Sequence, residues 1–278
     1  MIFDSLKWQS QAGTLSLQYQ KASPFPHIVL DNFLAENVLK EAVLHFPNQD
    51  SERWMHYTHL NEVKLAQPNR TFIPFQLLRI IDELNGEKFV NFLCTLTGIS
   101  GLFPDPALQG GGLHAIGRSG YLNMHTDFNM HPHQANWMRR INVLLFLNQN
   151  WEESYRGHLE FWDREMKNRV QKIAPIFNRC VIFTTDDRSY HGHPEPLACP
   201  DHMMRKSIAL YYYTQQENTG ARSTNYRPRP SDGFIKSVFI YLDKKILSGF
   251  DKIRRRFGIQ DQSVTNILRF LAKFWVKK

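Results

Sequence analysis

The sequence predicts an α+β protein, with helices at the front, an all-β sandwich or barrel in the middle and a helical extension at the end. Three observations carry this prediction. Apolar residues recur at helical spacing before residue 100, short β-rich runs crowd residues 112–214, and a polar stretch after Glu217 opens a basic, again helical segment.

In order along the chain, Pro24-Phe25-Pro26 leads into the strand-like His27-Ile28-Val29-Leu30-Asp31. Periodic apolar residues then predict a helix from Phe33 to Phe46, closed by Pro47. A second helical region is expected over Phe75–Leu96, with Ile80, Ile81, Leu84, Phe89, Phe92 and Leu93 as its apolar set. Helices of this kind buttress a sheet. Six strand-like runs follow, at 112–116, 121–127, 140–148, 158–162, 180–184 and 206–214, parted by Gly, Pro, Asn and Asp clusters. Strands at this spacing make a sandwich or barrel. Amphipathic helices are expected again over Phe234–Phe250 and Val264–Val276. The resulting division is a body over 1–217, with its β core at about 112–214, and an extension over 218–278.

Composition narrows the classes of function. The net charge of +8 invites a nucleic-acid partner, but 14 Lys and Arg against 4 Asp and Glu fall after residue 220. The preceding body carries 20 basic and 22 acidic residues and is slightly acidic, which argues against phosphate contacts there. The basic extension suits packing on the body, dimerisation or peripheral contact with an anionic membrane, the last supported by Arg254-Arg255-Arg256 between its two expected helices. Three scattered cysteines, Cys94, Cys180 and Cys199, argue for a reducing compartment. No secretory pattern opens the sequence and no apolar stretch is long enough to span a bilayer. A cytoplasmic location, with peripheral attachment to the inner face of a membrane as an option, is the expectation.

The chemistry centres on His125-Thr126-Asp127. Residues i and i+2 of a strand share a face, so this imidazole and carboxylate can converge on one ion. Twelve His and fourteen Asp make about 0.6 His-x-Asp tripeptides expected by chance, so the motif needs support. It comes from His191 and His193, which follow the strand-like Cys180–Phe183 and lie in a Gly- and Pro-rich segment. Either would complete two histidines and one carboxylate on one side of a metal, the arrangement that leaves open positions for Fe(II) and O2. Arg205 and Ser207 then share a strand face and can clamp a carboxylate, Arg through its planar fork and Ser through its hydroxyl. His131 and His133 in His-Pro-His read as loop residues rather than a second metal site, and Asn142 reads as either pocket lining or core filler.

The order His-x-Asp, then His, then Arg-x-Ser on an aromatic strand resembles the prolyl-4-hydroxylase-like branch of the 2-oxoglutarate/Fe(II) oxygenases. His27–Leu34 is similar to that branch's entry segment, Arg140–Asn148 to its strand after His-x-Asp, and Gly157–Trp162 to the next strand. The likeness covers about residues 24–214. It implies a double-stranded β-helix, or jelly roll, with His125, Asp127 and His191 holding Fe(II), and Arg205 pairing with the distal carboxylate of 2-oxoglutarate. It implies consumption of O2 and 2-oxoglutarate, release of succinate and CO2, and hydroxylation of an unactivated C–H bond. Related members often carry a Tyr where Phe146 stands, and Phe cannot donate a hydrogen bond. Ser207, or a Tyr such as Tyr121, is the replacement expected at the cosubstrate, and Asn142, on the same strand face as Phe146, is a candidate to line that pocket.

A small molecule, a glycan or lipid-linked sugar, or a peptidyl residue all suit such a site as substrate. Nucleic-acid demethylation of the AlkB type fits less well, because those relatives carry a second Arg six residues after the first and Tyr211 stands there. A non-catalytic barrel that binds a partner or membrane through its tail is the alternative from another class, and the intact ligand set argues against it.

Overall fold

The structure is a computed structural model describing residues 2–216 and 220–257. The helix expected over Val264–Val276 lies outside the described residues. Helix α1 (Ser5–Lys21) opens the chain, capped by Asp4, whose carboxylate accepts from the Lys7 amide at 3.0 Å. Strand β1 (His27–Leu30) and helix α2 (Glu36–Leu44) come next, the helix shorter than expected, with Phe33 and Phe46 flanking it in the core. The hairpin β2 (Met55–His59) and β3 (Glu62–Gln67) follows. The long helix expected over Phe75–Leu96 is two, α3 (Phe75–Asn85) and α4 (Glu87–Thr97). They part at Gly86, whose backbone is extended (ψ 160°). Glycine is the poorest ordinary helix former, so the chain turns there at little cost.

The remaining strands are β4 (Phe103–Pro104), β5 (Gly112–Ile116), β6 (Tyr121–Thr126), β7 (Trp137–Phe146), β8 (Leu159–Trp162), β9 (Arg169–Ile173), β10 (Arg179–Thr184), β11 (His191–His193), β12 (Arg205–Gln215) and β13 (Asn225–Tyr226), before helix α5 (Gly233–Phe257). They form one curled sheet in the order β1-β10-β7-β12-β5-β3-β6-β11-β8-β9, antiparallel throughout. This is the double-stranded β-helix, an α+β fold with helices on one face of an all-β core. Among the described residues no helix is long and apolar enough to cross a membrane.

The period-2 rule divides the long strands. Ile141, Val143 and Leu145 on β7, with Ile208, Leu210 and Tyr212 on β12, face outward into one core with the helices. Leu77, Ile80, Ile81 and Leu84 of α3 and Phe89 and Phe92 of α4 meet them there, all wholly buried. Each contributes roughly 1.5–3 kcal/mol by leaving water, and the Tyr212 hydroxyl ties sheet to helix by donating to the Leu84 carbonyl at 2.8 Å. The alternate residues face the barrel interior, where Phe146, Leu159, Phe161, Val181 and Phe183 make an apolar wall. The functional groups sit against that wall.

β13 lies in the stretch expected to be a polar linker. It pairs with β6, Asn225 opposite Thr126 and Tyr226 opposite His125, so the chain beyond residue 217 returns to the body before α5 begins.

Candidate active site

His125 near the end of β6 and His191 at the start of β11 are direct partners across the sheet, with ring centroids 4.4 Å apart. Asp127, just past β6, brings Oδ1 to 3.7 Å from His125 Nε2 and Oδ2 to 3.5 Å from His191 Nε2. One ligand atom from each of the three lies within 4.8 Å of the others, the one such group of His, Cys, Asp or Glu among the described residues. An ion at about 2.0–2.2 Å from each ligand atom needs them roughly 3–3.5 Å apart, so the donor set fits a metal after a small contraction.

The surroundings prepare each ligand. His125 Nδ1 lies 2.9 Å from the Asn123 carbonyl and His191 Nδ1 2.9 Å from the Ser189 carbonyl. A ring whose Nδ1–H donates to a carbonyl keeps its Nε2 lone pair free for the cluster. Burial pulls the His125 pKa down to about 4, reinforced by the neighbouring His191, and burial lowers His191 as well. Both rings are therefore neutral and metal-ready. Burial works to raise the Asp127 carboxyl, but the Arg139 charge, with the two imidazoles and Asn142, holds it well below the usual carboxylate range.

Arg139 was not singled out in the sequence, although a charged residue inside an alternating strand was the available signal. It is 2% exposed and lies over Tyr211, its Cζ 3.4 Å from the ring centroid, with Phe128 at 4.7 Å. It donates to Asp127 Oδ2 at 3.0 Å and to Asn142 Oδ1 at 2.8 Å, while Asn142 Nδ2 donates to the same Asp127 Oδ2 at 2.8 Å. The amide of Asn142, expected at the cosubstrate or as core filler, engages the Asp127 carboxylate and Arg139.

Tyr121 is corrected. Its hydroxyl donates to the Leu60 carbonyl at 3.2 Å, and its ring lines an outer apolar groove with Leu60, Phe234 and Phe239. The cause is visible in the register of β6. His191 pairs with His125 but His193 with Leu122, so β6 holds one extra residue between these partners. Arg205 and Ser207 do share the inner face of β12, Ser207 lying between Phe146 and His114 of the neighbouring strands. Arg205 donates from Nε to the Gly157 carbonyl at 2.7 Å and lies over the Phe146 ring, Cζ 4.8 Å from its centroid. Burial alone draws its pKa down to about 9, with no carboxylate among the described residues to counter it.

His131 and His133 stand apart from the metal group. His131 bonds Asp105 at 3.3 Å and packs on Trp137 and Tyr213, a loop anchor. Equally unannounced by the sequence is the ion pair of partly buried Lys64 with buried Glu62 on β3, 2.8 Å apart, which continues through His59 to Asp243 of α5. Lys64 projects to the inner side, where its charge reaches His114, His125, His191 and His193.

A jelly roll in which two histidines and a carboxylate converge, with a buried arginine on β12, suits a non-haem Fe(II) oxygenase that uses a 2-oxo acid. Residues 111–213 match the model of the 2OG-Fe(II) oxygenase superfamily. Prolyl hydroxylase EGLN3 of Mus musculus is 27% identical over 205 residues, 69% of this chain and 80% of that protein. A prolyl hydroxylase from Trichoplax adhaerens, solved with a peptide fragment of the hypoxia inducible factor oxygen degradation domain, has the same fold at a TM-score of 0.53. It is 19% identical, and the alignment covers 75% of this chain and 91% of that one. Residues 111–213 are thus similar to the 2OG-Fe(II) oxygenase superfamily, and the chain as a whole is similar to prolyl hydroxylases. It is a hydroxylating dioxygenase that works with Fe(II), 2-oxoglutarate and O2.

Proposed function

We propose that His125, Asp127 and His191 hold the Fe(II), that Arg205 receives the distal carboxylate of 2-oxoglutarate, and that the hydroxylated substrate is a peptidyl residue. The observation that carries the site reading is the three-residue convergence, two neutral imidazoles and an ionised carboxylate within reach of one ion. The bound iron supplies the oxygen chemistry. The chain supplies the rest: Asn123 and Ser189 orient the rings, Arg139 and Asn142 fix the carboxylate, and the wall of Phe146, Phe161 and Phe183 keeps water from the interior. Peptidyl substrate is favoured because the relatives named above are prolyl hydroxylases, one of them solved with a peptide.

The test has two parts. Succinate release that needs Fe(II) and disappears in His125→Ala and Asp127→Ala is expected, with metal binding lost in both. Incubation with a peptide library should then give products heavier by one oxygen. Retained metal affinity in both variants refutes the ligand set, and oxidation of sugars or small molecules with every peptide untouched refutes the substrate class.

We further propose that α5 rests against an anionic membrane surface. Its exposed row of Phe234 (84% exposed), Ile235 (72%), Val238, Phe239 and Leu242 faces away from the docked edge at Ile240 and Asp243. The chain after residue 220 carries ten more basic than acidic residues, which suits acidic headgroups. Sedimentation with phosphatidylglycerol-containing vesicles should be salt-sensitive and weaker in Phe234→Ser/Ile235→Ser. No vesicle binding, or a concentration-dependent dimer lost in that variant, overturns it.

A further inference from the structure

His193 is the exception among the buried histidines of the described chain. His27, His125, His131, His158 and His191 each engage a carbonyl or carboxylate through a ring nitrogen. His193 is 3% exposed, and neither Nδ1 nor Nε2 has a hydrogen-bond partner. An unsatisfied buried polar group costs about 1–3 kcal/mol, so it marks a place where a partner is expected.

Its position shows which partner. β11 is regular on its β8 side, His191 facing Phe161 and Gly192 facing Glu160, so His193 shares the inward face of His191. Gly192 between them must be glycine, because a Cβ there would stand 2.8 Å from the Leu122 oxygen and 2.9 Å from that of Asn123. His193 thus lies two residues along β11 from the proposed iron ligand, on the same face and in the electrostatic field of Arg205 and Lys64. Arg205 is itself a buried cation without an acidic partner among the described residues, and an arginine stays protonated. An imidazole short of an acceptor, on the inner face it shares with a guanidinium whose charge reaches it, suits a carboxylate. Phe146 cannot supply the hydroxyl that relatives place there, Tyr121 points outward, and Asn142 is engaged by Asp127 and Arg139.

We propose that His193 donates the second hydrogen bond to the distal carboxylate of 2-oxoglutarate, replacing the missing tyrosine hydroxyl at Phe146. The proposal rests on the reading of Arg205 and the iron ligands above. It makes His193 a cosubstrate-binding residue specific for a 2-oxo acid with a second carboxylate.

The test is equilibrium binding to the Fe(II)-loaded full chain without O2, comparing 2-oxoglutarate with 2-oxobutyrate, which lacks the distal carboxylate. A charge-assisted bond of about 1.5–3 kcal/mol corresponds to roughly 10- to 150-fold. His193→Ala should weaken 2-oxoglutarate by at least about tenfold and leave 2-oxobutyrate within about twofold. Metal affinity should be unchanged. Equal losses for both acids, or no loss for either, overturn the proposal. Loss of the metal itself instead makes His193 the third ligand and overturns the assignment of His191. Because the variant can fail to fold, the wild type is also followed by nitrogen-15 histidine resonances with Zn(II) in place of iron. The His193 ring signals should move on adding 2-oxoglutarate and stay in place with 2-oxobutyrate; unmoved signals with 2-oxoglutarate refute the contact.

Discussion

Arg139 gives the sharpest test of how the interior holds its metal. Its guanidinium reaches Asp127 Oδ2 at 3.0 Å and is the largest influence lowering that carboxyl against burial. In Arg139→Met the Asn142 bond at 2.8 Å remains, so Asp127 keeps one of two partners on that oxygen. The lost charge-assisted bond is worth about 1.5–3 kcal/mol, and removal of a partner that orients a metal ligand typically weakens metal binding 10- to 100-fold. The two estimates agree, and a Co(II) titration at pH 7 should show a Kd raised by that factor. Folding responds separately, because the stack on Tyr211 adds about 2 kcal/mol when desolvated. Urea unfolding of the apo protein should therefore fall as well. Arg139→Lys should rescue neither fully, since a lysine lacks the fork that serves Asp127 and Asn142 together. A folded Arg139→Met protein with Co(II) affinity within about threefold of wild type would refute the reasoning.

Three further outcomes follow from the same geometry. His125 falls from an ordinary 6.5 to about 4 through burial and the nearby His191, so between those values the unfolded chain binds more protons. Apo stability is then fully present above pH 6.5 and should decline toward pH 4 by roughly 3 kcal/mol, a slope that His125→Gln should flatten in urea titrations. His59 behaves oppositely: burial would lower it, but Asp243 and Glu62 raise it to about 9, so its contribution holds below pH 6.5 and is lost as pH rises through 9. Asp243→Asn should remove much of this contribution and speed hydrogen exchange in β2 and β3; unchanged exchange in the hairpin speaks against the link. Gly192→Ala should force β11 away from the Leu122 and Asn123 carbonyls, costing about 1–3 kcal/mol and weakening Co(II) binding, whereas a wild-type titration curve would show that the strands yield freely.

Much of the fold and part of the site were legible because both depend on alternation within one strand. His125-x-Asp127 and Arg205-x-Ser207 announce themselves by sharing a face, and the outward rows of β7 and β12 read as plainly. What stayed hidden depends on register between strands. One extra residue in β6 turns Tyr121 out to Leu60 while His125 still meets His191. Asn142 was placed on the correct face, but only the fold could show Asp127 and Arg139 occupying its amide. α1 went unread because its buried residues, Trp8, Ala12 and Tyr19, are too sparse to form an apolar stripe. The break at Gly86 is a choice between a kinked helix and two helices that glycine permits either way.

The same reasoning changes what the end of the chain is for. An extension that begins after residue 217 suggests a removable appendage, yet Tyr226 packs its ring 5.4 Å from that of His125 and pairs with it across β13 and β6. Asp243 on α5 accepts from Asn61 at 2.5 Å and meets His59 at 3.0 Å, and His59 passes through Glu62 to Lys64 inside the barrel. Glu62 and Asp243 are buried and His59 and Lys64 partly so, and stripping one member leaves the next without its partner. The described extension is thus packed against His125 and stands at the far end of an ionic chain that runs to Lys64, whose charge reaches His125 and His191. A displacement of α5 would therefore act first on the β2–β3 hairpin, through the contact of Asp243 with His59.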